Sequence, residues 1–139
     1  MLLIVDASFE DRDFLRHLIK SAGVHEPVMD FEDGEGVLAY LSRWLEPGAP
    51  PEVPLLMFLD LKLPRMNGHE VIRRVRAVPA LEAMEIALLS GALTYADMRQ
   101  AASLGANHYF EKFPSKDLIR RWIDAATNSR RALRERRAR

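Results

Sequence analysis

The stretch Leu55-Leu56-Met57-Phe58-Leu59-Asp60-Leu61-Lys62-Leu63-Pro64-Arg65-Met66-Asn67-Gly68-His69-Glu70 carries the reading of this chain. Leu55–Leu59 is a short continuous apolar run, the pattern of a strand covered on both faces. It stops abruptly at a carboxylate, Asp60. Asn67-Gly68 then marks a turn, and Val71, Ile72 and Val75 recur at helical spacing before a break at Pro79. The unit is strand, loop and helix, with an acid at the strand's carboxyl end.

The same grammar repeats on either side. Leu2–Val5 is an apolar run ended by Asp6, and Phe14, Leu15, Leu18, Ile19 and Ala22 follow at three- and four-residue spacing. Gly23 stops that helix as a C-terminal glycine does. Val28–Phe31 reads as a weaker strand; Val37, Leu38, Leu41 and Leu45 form the stripe after it, ended by Pro47-Gly48-Ala49-Pro50-Pro51. Ile86–Leu89 precedes Met98, Ala101, Ala102 and Leu104, stopped by Gly105. Tyr109-Phe110 precedes Leu118, Ile119, Trp122, Ile123 and Ala126, with Asp117 in the first turn, where a carboxylate suits the helix dipole. Strands that each lead into a helix imply an α/β domain with a parallel sheet. Ligands of such open sheets bind outside the carboxyl ends of the strands. Asp6, Asp60, Ser90 and Lys112 sit where strands stop and therefore converge on one edge. Two carboxylates, a hydroxyl and an ammonium there suit an oxyanion together with a hard cation.

Composition narrows the class. With 139 residues, 48% of them hydrophobic, the chain fits one domain with its own core. No cysteine means no disulfide, thiolate metal site or cysteine nucleophile. No apolar run approaches the ~20 residues of a membrane helix, and Asp6 interrupts the start too early for a secretory segment. The expectation is a soluble, cytoplasmic protein. Lys+Arg and Asp+Glu balance at 20 each, but residues 127–139 hold Arg130, Arg131, Arg134, Arg136, Arg137 and Arg139 against Glu135 alone. The sequence thus divides into an acidic body, 1–126, and a basic tail or helix extension, 127–139. Such a body does not bind nucleic acid through its own field, and the tail reads as a solvated or partner-contacting extension. No Gly-rich phosphate cradle is present. Trp44, Trp122, Met57, Met84 and Met98 read as packing groups. His17, His25, His69 and His108 lack metal-ligand spacing and read as surface residues.

The constellation resembles the receiver domain of two-component response regulators, from Leu2 to Asp124. Leu59 to Glu70 is similar to the segment around that family's phosphorylated aspartate, and Ser90-Gly91 and Leu104-Gly105-Ala106-Asn107-His108-Tyr109 are similar to further motifs. A long helix from Val37 to Leu45 with its Pro-rich loop resembles the single-domain regulators paired with phytochrome-type kinases. The resemblance implies a flavodoxin-like (βα)5 fold, an open five-stranded parallel sheet with helices on both faces. It implies Asp60 as phosphoacceptor and Mg²⁺ as cofactor, held by Asp6, Asp60 and the backbone carbonyl of Lys62. Ser90 would bond a phosphoryl oxygen, Lys112 would pair with it as a point charge, and Tyr109 matches the switch aromatic. The implied partner is a sensor histidine kinase or phosphotransfer protein. Signalling would run through protein contacts, with no output domain following and homodimerisation through the last helices; nucleic acid and membrane are not expected partners. Such a domain is not an enzyme beyond self-catalysed phosphotransfer and dephosphorylation.

Departures from the family pattern shape these expectations. Where members carry two adjacent acids, this chain has Asp6-Ala7, which thins the metal site. Glu10 and Asp11 read as the start of the first helix rather than as replacements. Lys62 reads as solvent-facing, with the alternative that its ammonium approaches Asp60. The family's Lys-Pro is here Lys112-Phe113-Pro114. A cis bond before Phe113 costs ~2.5–4 kcal/mol, so trans is expected there, and a cis Phe113-Pro114 bond stays open. The competing functional reading is a phosphorylation-independent interaction module that kept the fold and lost the metal site.

Overall fold

The computed structural model describes residues 1–138. Its strands are β1 (Leu2–Val5), β2 (Val28–Phe31), β3 (Leu56–Asp60), β4 (Glu85–Ser90) and β5 (His108–Glu111). They alternate with α1 (Phe9–Ser21), α2 (Gly34–Leu41), α3 (Gly68–Arg76), α4 (Tyr95–Leu104) and α5 (Lys116–Arg137). All pairings are parallel, in the order β2-β1-β3-β4-β5. From β1 the chain builds outward to β2, then returns to lay β3 on the opposite flank. The switch point therefore lies between β1 and β3, where Val5 stands opposite Leu59 and the next residues are Asp6 and Asp60.

Alternation along the strands divides the core. Leu3, Val5, Met57, Leu59, Ile86 and Leu88 pack against α2, α3 and α4 through Val37, Leu41, Val71, Ile72, Val75 and Ala101. Leu2, Ile4, Leu56, Phe58, Ala87 and Leu89 face the other way, against Leu15 and Ile19 of α1 and Ile119, Trp122, Ile123 and Ala126 of α5. Each helix starts on a polar cap: Ser8, Asp33, Asn67, Thr94 and Ser115 each accept a backbone N–H three residues on. The caps fix where the strand-to-helix loops end, and hence the rim of the site.

Several sequence expectations are corrected. The stripe Val37–Leu45 is not one long helix: α2 ends at Leu41, a 3₁₀ turn covers Ser42–Leu45, and Leu45 is exposed. The Ser42 hydroxyl donates to the Ala39 carbonyl and the Trp44 indole N–H to the Pro50 carbonyl, so local polar bonds compete with the helix ladder. His69 is buried, not superficial, because it starts α3 facing α4, with Nε2 3.2 Å from the Asp97 carbonyl. His108 is half-buried, stacked on Trp122 at 4.9 Å with Nε2 3.0 Å from Glu85. Met57 and Met84 are core residues, whereas Met98 is only half-buried.

α5 continues to Arg137, where the Arg130 guanidinium donates to the carbonyls of Val53, Pro54 and Ala83 at 2.9, 3.0 and 3.3 Å. Those carbonyls precede β3 and β4, so the helix extension is pinned to the sheet's amino end, opposite the site. Arg139 lies outside the described residues. Among those described, no helix is long and apolar enough to cross a membrane.

Candidate functional site

Four side chains singled out by the sequence occupy the carboxyl edge of the sheet. The ladder carries on past the strands and anchors their backbones: the Asp6 N–H donates to Phe31, the Leu61 N–H to Leu89 and the Lys112 N–H to Ser90. Asp6, Asp60 and Ser90 are all buried. Lys112 crosses the edge, with Nζ 2.6 Å from Asp6 Oδ2 and 3.4 Å from Asp60 Oδ2. A third carboxylate joins them: Asp11 Oδ2 lies 2.9 Å from the same ammonium. Asp11 begins α1 as expected and, in addition, reaches the site. It sits in the first turn, and the helix start directs its side chain to Lys112. Glu10 instead turns to the Ser8 hydroxyl, 3.4 Å away.

The electrostatics follow from this packing. Burial pushes the Asp60 carboxyl above its ordinary value and the charge of Asp6 adds to the rise; Lys112 and the Lys62 backbone N–H only partly offset it. Burial opposes the Lys112 charge, yet its bonds to Asp6 and Asp11 and the charges of Asp60 and Asp6 outweigh that and hold the ammonium above the usual lysine range. Asp60 is therefore a buried carboxylate crowded by a like charge and faced by one fixed cation.

The remaining expected residues are arranged around this pair. Lys62 is exposed, and among the described residues its ammonium makes no ion pair with Asp60; its backbone rather than its side chain meets the carboxylate. Ser90 Oγ lies 3.2 Å from the Ala92 carbonyl and accepts the Ala92 N–H at 3.3 Å. Tyr109, on β5, is 40% exposed and stands outside the cluster. The Lys112-Phe113 peptide is cis, which corrects the expectation of trans. Tertiary contacts on both sides replace the local preference: Lys112 is tied to Ser90, Asp6 and Asp11, and the Phe113 ring packs on Phe14 at 4.7 Å. Gly68 lies against the acid itself, since its N–H donates to Leu61 and a Cβ there would fall 2.6 Å from the Asp60 carbonyl oxygen.

Among the described residues no three or more His, Cys, Asp or Glu side chains form a ready metal cage. The donors at this edge are the hard oxygens of Asp6 and Asp60, two like charges brought together in a buried place. Mg²⁺ is bound by one or two carboxylates with several waters, so the donor chemistry fits such an ion.

The fold and this edge define an open parallel α/β module with a buried acidic cluster and one ammonium at the carboxyl ends of its strands. The response regulator receiver domain model matches residues 2–124, and the chain belongs to that family, whose members act in two-component signalling. It is 32% identical to the probable methanogenesis regulatory protein FilR2 of Methanothrix harundinacea, over 89% of this chain and 79% of that one. It is 25% identical to the response regulator Rcp1 of Synechocystis, over 91% of each. Among solved structures, the bacteriophytochrome response regulator RtBRR superposes with a TM-score of 0.71 at 26% identity, covering 92% of this chain and 75% of that one. The Mn²⁺-bound form of Rcp1 superposes with a TM-score of 0.69 at 22% identity, covering 89% and 88%.

Proposed function

We propose that the chain is a single-domain response regulator that accepts a phosphoryl group on Asp60 from a histidine of a sensor kinase or phosphotransfer protein. The observation that carries this reading is the buried Asp60 carboxylate at the switch point with the Lys112 ammonium 3.4 Å away. An Asp60 oxygen attacks phosphorus, the bond from phosphorus to the donor histidine breaks, and that nitrogen leaves with its electron pair. Positioning and charge neutralisation supply most of the catalysis in such transfers. Lys112 pairs with the phosphoryl oxygens, Ser90 hydrogen-bonds one of them, and Tyr109 responds to the movement of Ser90. Mg²⁺, held by Asp6, Asp60 and the Lys62 carbonyl, would neutralise the transferred charge. The domain is a signalling device, with any autocatalysis limited to its own phosphorylation and dephosphorylation.

Phosphorylation adds charge and acceptor oxygens at the edge of the sheet. Its readout in this proposal is a protein-contact face around α4, β5 and α5, where Tyr95, Tyr109 and Phe110 are exposed. A homodimer through that face fits the exposed aromatics; light scattering that stays monomeric at all concentrations removes it. Residues 1–126 form the receiver domain and 127–139 its basic extension, which contacts protein rather than nucleic acid. The reading places the chain in the cytoplasm, with the ATP that charges such kinases.

One observation favours a second reading. Ala7 removes an acid, and Lys112 already satisfies its ion pairs within the protein, as an interaction module without phosphorylation would require. Incubation with acetyl phosphate and Mg²⁺ separates the two. The regulator gains the mass of one phosphoryl group, and Asp60→Asn gains none. A wild-type chain of unchanged mass leaves the module.

A further inference from the structure

We propose that Asp11 is a positioning residue for Lys112: it supplies from α1 the carboxylate that Ala7 does not, shares the ammonium with Asp6, and so leaves Asp60 available to a divalent cation. The second half of this statement rests on the function proposed above; the first half stands on geometry alone.

An ammonium has three N–H donors, and three carboxylates surround the one on Lys112. Its short contacts are to Asp6 at 2.6 Å and Asp11 at 2.9 Å, while Asp60 is at 3.4 Å. The bonds to Asp6 and Asp11 hold Lys112 beside Asp60 without committing it there. Asp11 is also built into the site. The Ser8 N–H donates to Asp6 Oδ1 at 2.9 Å, and the Ser8 hydroxyl accepts the Asp11 N–H at 3.2 Å. The strand-end acid, the helix cap and Asp11 are thus linked in series, and the first turn of α1 is oriented by the acid it serves. The side chain of Asp11 is 34% exposed, against 9% for Asp6 and 9% for Asp60. It forms the outer wall of the cluster, where it anchors the ammonium from the solvent side.

Charge gives the arrangement its consequence. With Asp11, three carboxylates face one ammonium; without it, two do. Asp11 and Asp60 touch the same nitrogen and so lie within about 6 Å of each other, close enough for a unit charge to alter divalent binding strongly in a partly buried setting. In a chain lacking Asp11, Lys112 would rest wholly on Asp6 and Asp60 and compete there with the cation.

The test uses the full chain, ¹⁵N-labelled. The wild-type ammonium of Lys112, assigned by its absence in Lys112→Arg, gives a resolved, slowly exchanging Nζ–H signal. In Asp11→Asn that signal broadens away, and in Asp11→Glu it returns. A Lys112 signal unchanged in Asp11→Asn overturns the positioning role. Asp11→Ser serves as a second variant should the first fail to fold. Mg²⁺ titration, followed through backbone amide shifts of the unphosphorylated protein, gives a dissociation constant about tenfold or more weaker in Asp11→Asn than in wild type. Equal constants overturn the metal half. Wild-type protein that binds no Mg²⁺ and takes up no phosphoryl group removes the proposed function and that half together, while the ammonium spectrum still decides whether Asp11 places Lys112.

Discussion

Gly68 offers the sharpest test of how the site is packed. A Cβ at this position would lie 2.6 Å from the Asp60 carbonyl oxygen, 2.9 Å from Leu88 Cδ1 and 3.0 Å from Leu61 Cα. Ordinary carbon–oxygen contacts begin near ~3.3 Å, so Gly68→Ala must separate α3 from the end of β3 by roughly 0.7 Å. Two of the three obstacles are backbone, and the Gly68 N–H is tied to the Leu61 carbonyl at 2.8 Å, so neither side yields easily. Overpacking costs about 1–3 kcal/mol and belongs here at the upper end. Removing a glycine from the start of a helix returns up to ~1 kcal/mol, which leaves a net loss of about 2 kcal/mol. For a domain of this size that lowers Tm by roughly 6 °C. Urea denaturation followed by tryptophan fluorescence measures it directly, with Gly91→Ala as the control, since nothing lies within 4 Å of a Cβ there. The control changes stability by no more than about 0.5 kcal/mol. Because the displaced atom belongs to Asp60, Gly68→Ala also slows phosphoryl uptake. A Gly68→Ala protein as stable as the control would refute the close approach of α3 to the acid.

Other perturbations follow from charge and hydrogen bonding. Asp60 has a raised folded pKa, so the folded state holds its proton longer than the unfolded state does, and stability falls as pH rises from the ordinary value of 3.8 through the folded one. Above that window the ionised Asp60 costs stability; hence Asp60→Asn is more stable than wild type at pH ~7, and the gain shrinks as pH falls toward 3.8 in denaturant melts. An equal gain at both ends would contradict the burial argument. Arg130→Ala strips the Val53, Pro54 and Ala83 carbonyls of a charged donor and lowers unfolding free energy by about 2 kcal/mol; an unmoved urea midpoint would show that the α5 extension is not pinned. Lys62→Ala leaves Mg²⁺ affinity unchanged by calorimetry, because its side chain is exposed and unpaired with Asp60, and a marked weakening would restore the ammonium to the site.

Much of the architecture was legible because the central strands β1, β3 and β4 are buried on both faces and read as apolar runs, whereas the edge strands β2 and β5 are only partly buried and signal more weakly. Leu2–Val5 and Val28–Phe31 were bounded as they stand; β3 slips by one residue because Asp60 still pairs with Leu89. Asp6, Asp60, Ser90 and Lys112 could be placed on one edge from strand ends alone. Contacts made at a distance could not. Asp11 looks like any acid in a first helical turn, and only the path of the segment after β5 brings Lys112 to it. His69 hides beneath α4 through helix packing that its neighbours in sequence do not encode. Ser42 and Trp44 divert the end of α2 by bonds to carbonyls, a competition that apolar spacing does not register. The basic character of Arg130 was plain, whereas its three carbonyl partners belong to loops far away in the chain.

The account rests on a covalent bond at one oxygen, and the chemistry of an acyl phosphate allows that oxygen to be located. After incubation with acetyl phosphate and Mg²⁺, borohydride reduction converts a phosphorylated aspartate to homoserine, which tandem mass spectrometry assigns to a residue. The account predicts homoserine at position 60 alone, and none when Mg²⁺ is chelated. Homoserine at position 6 or 11, or at none, would contradict it.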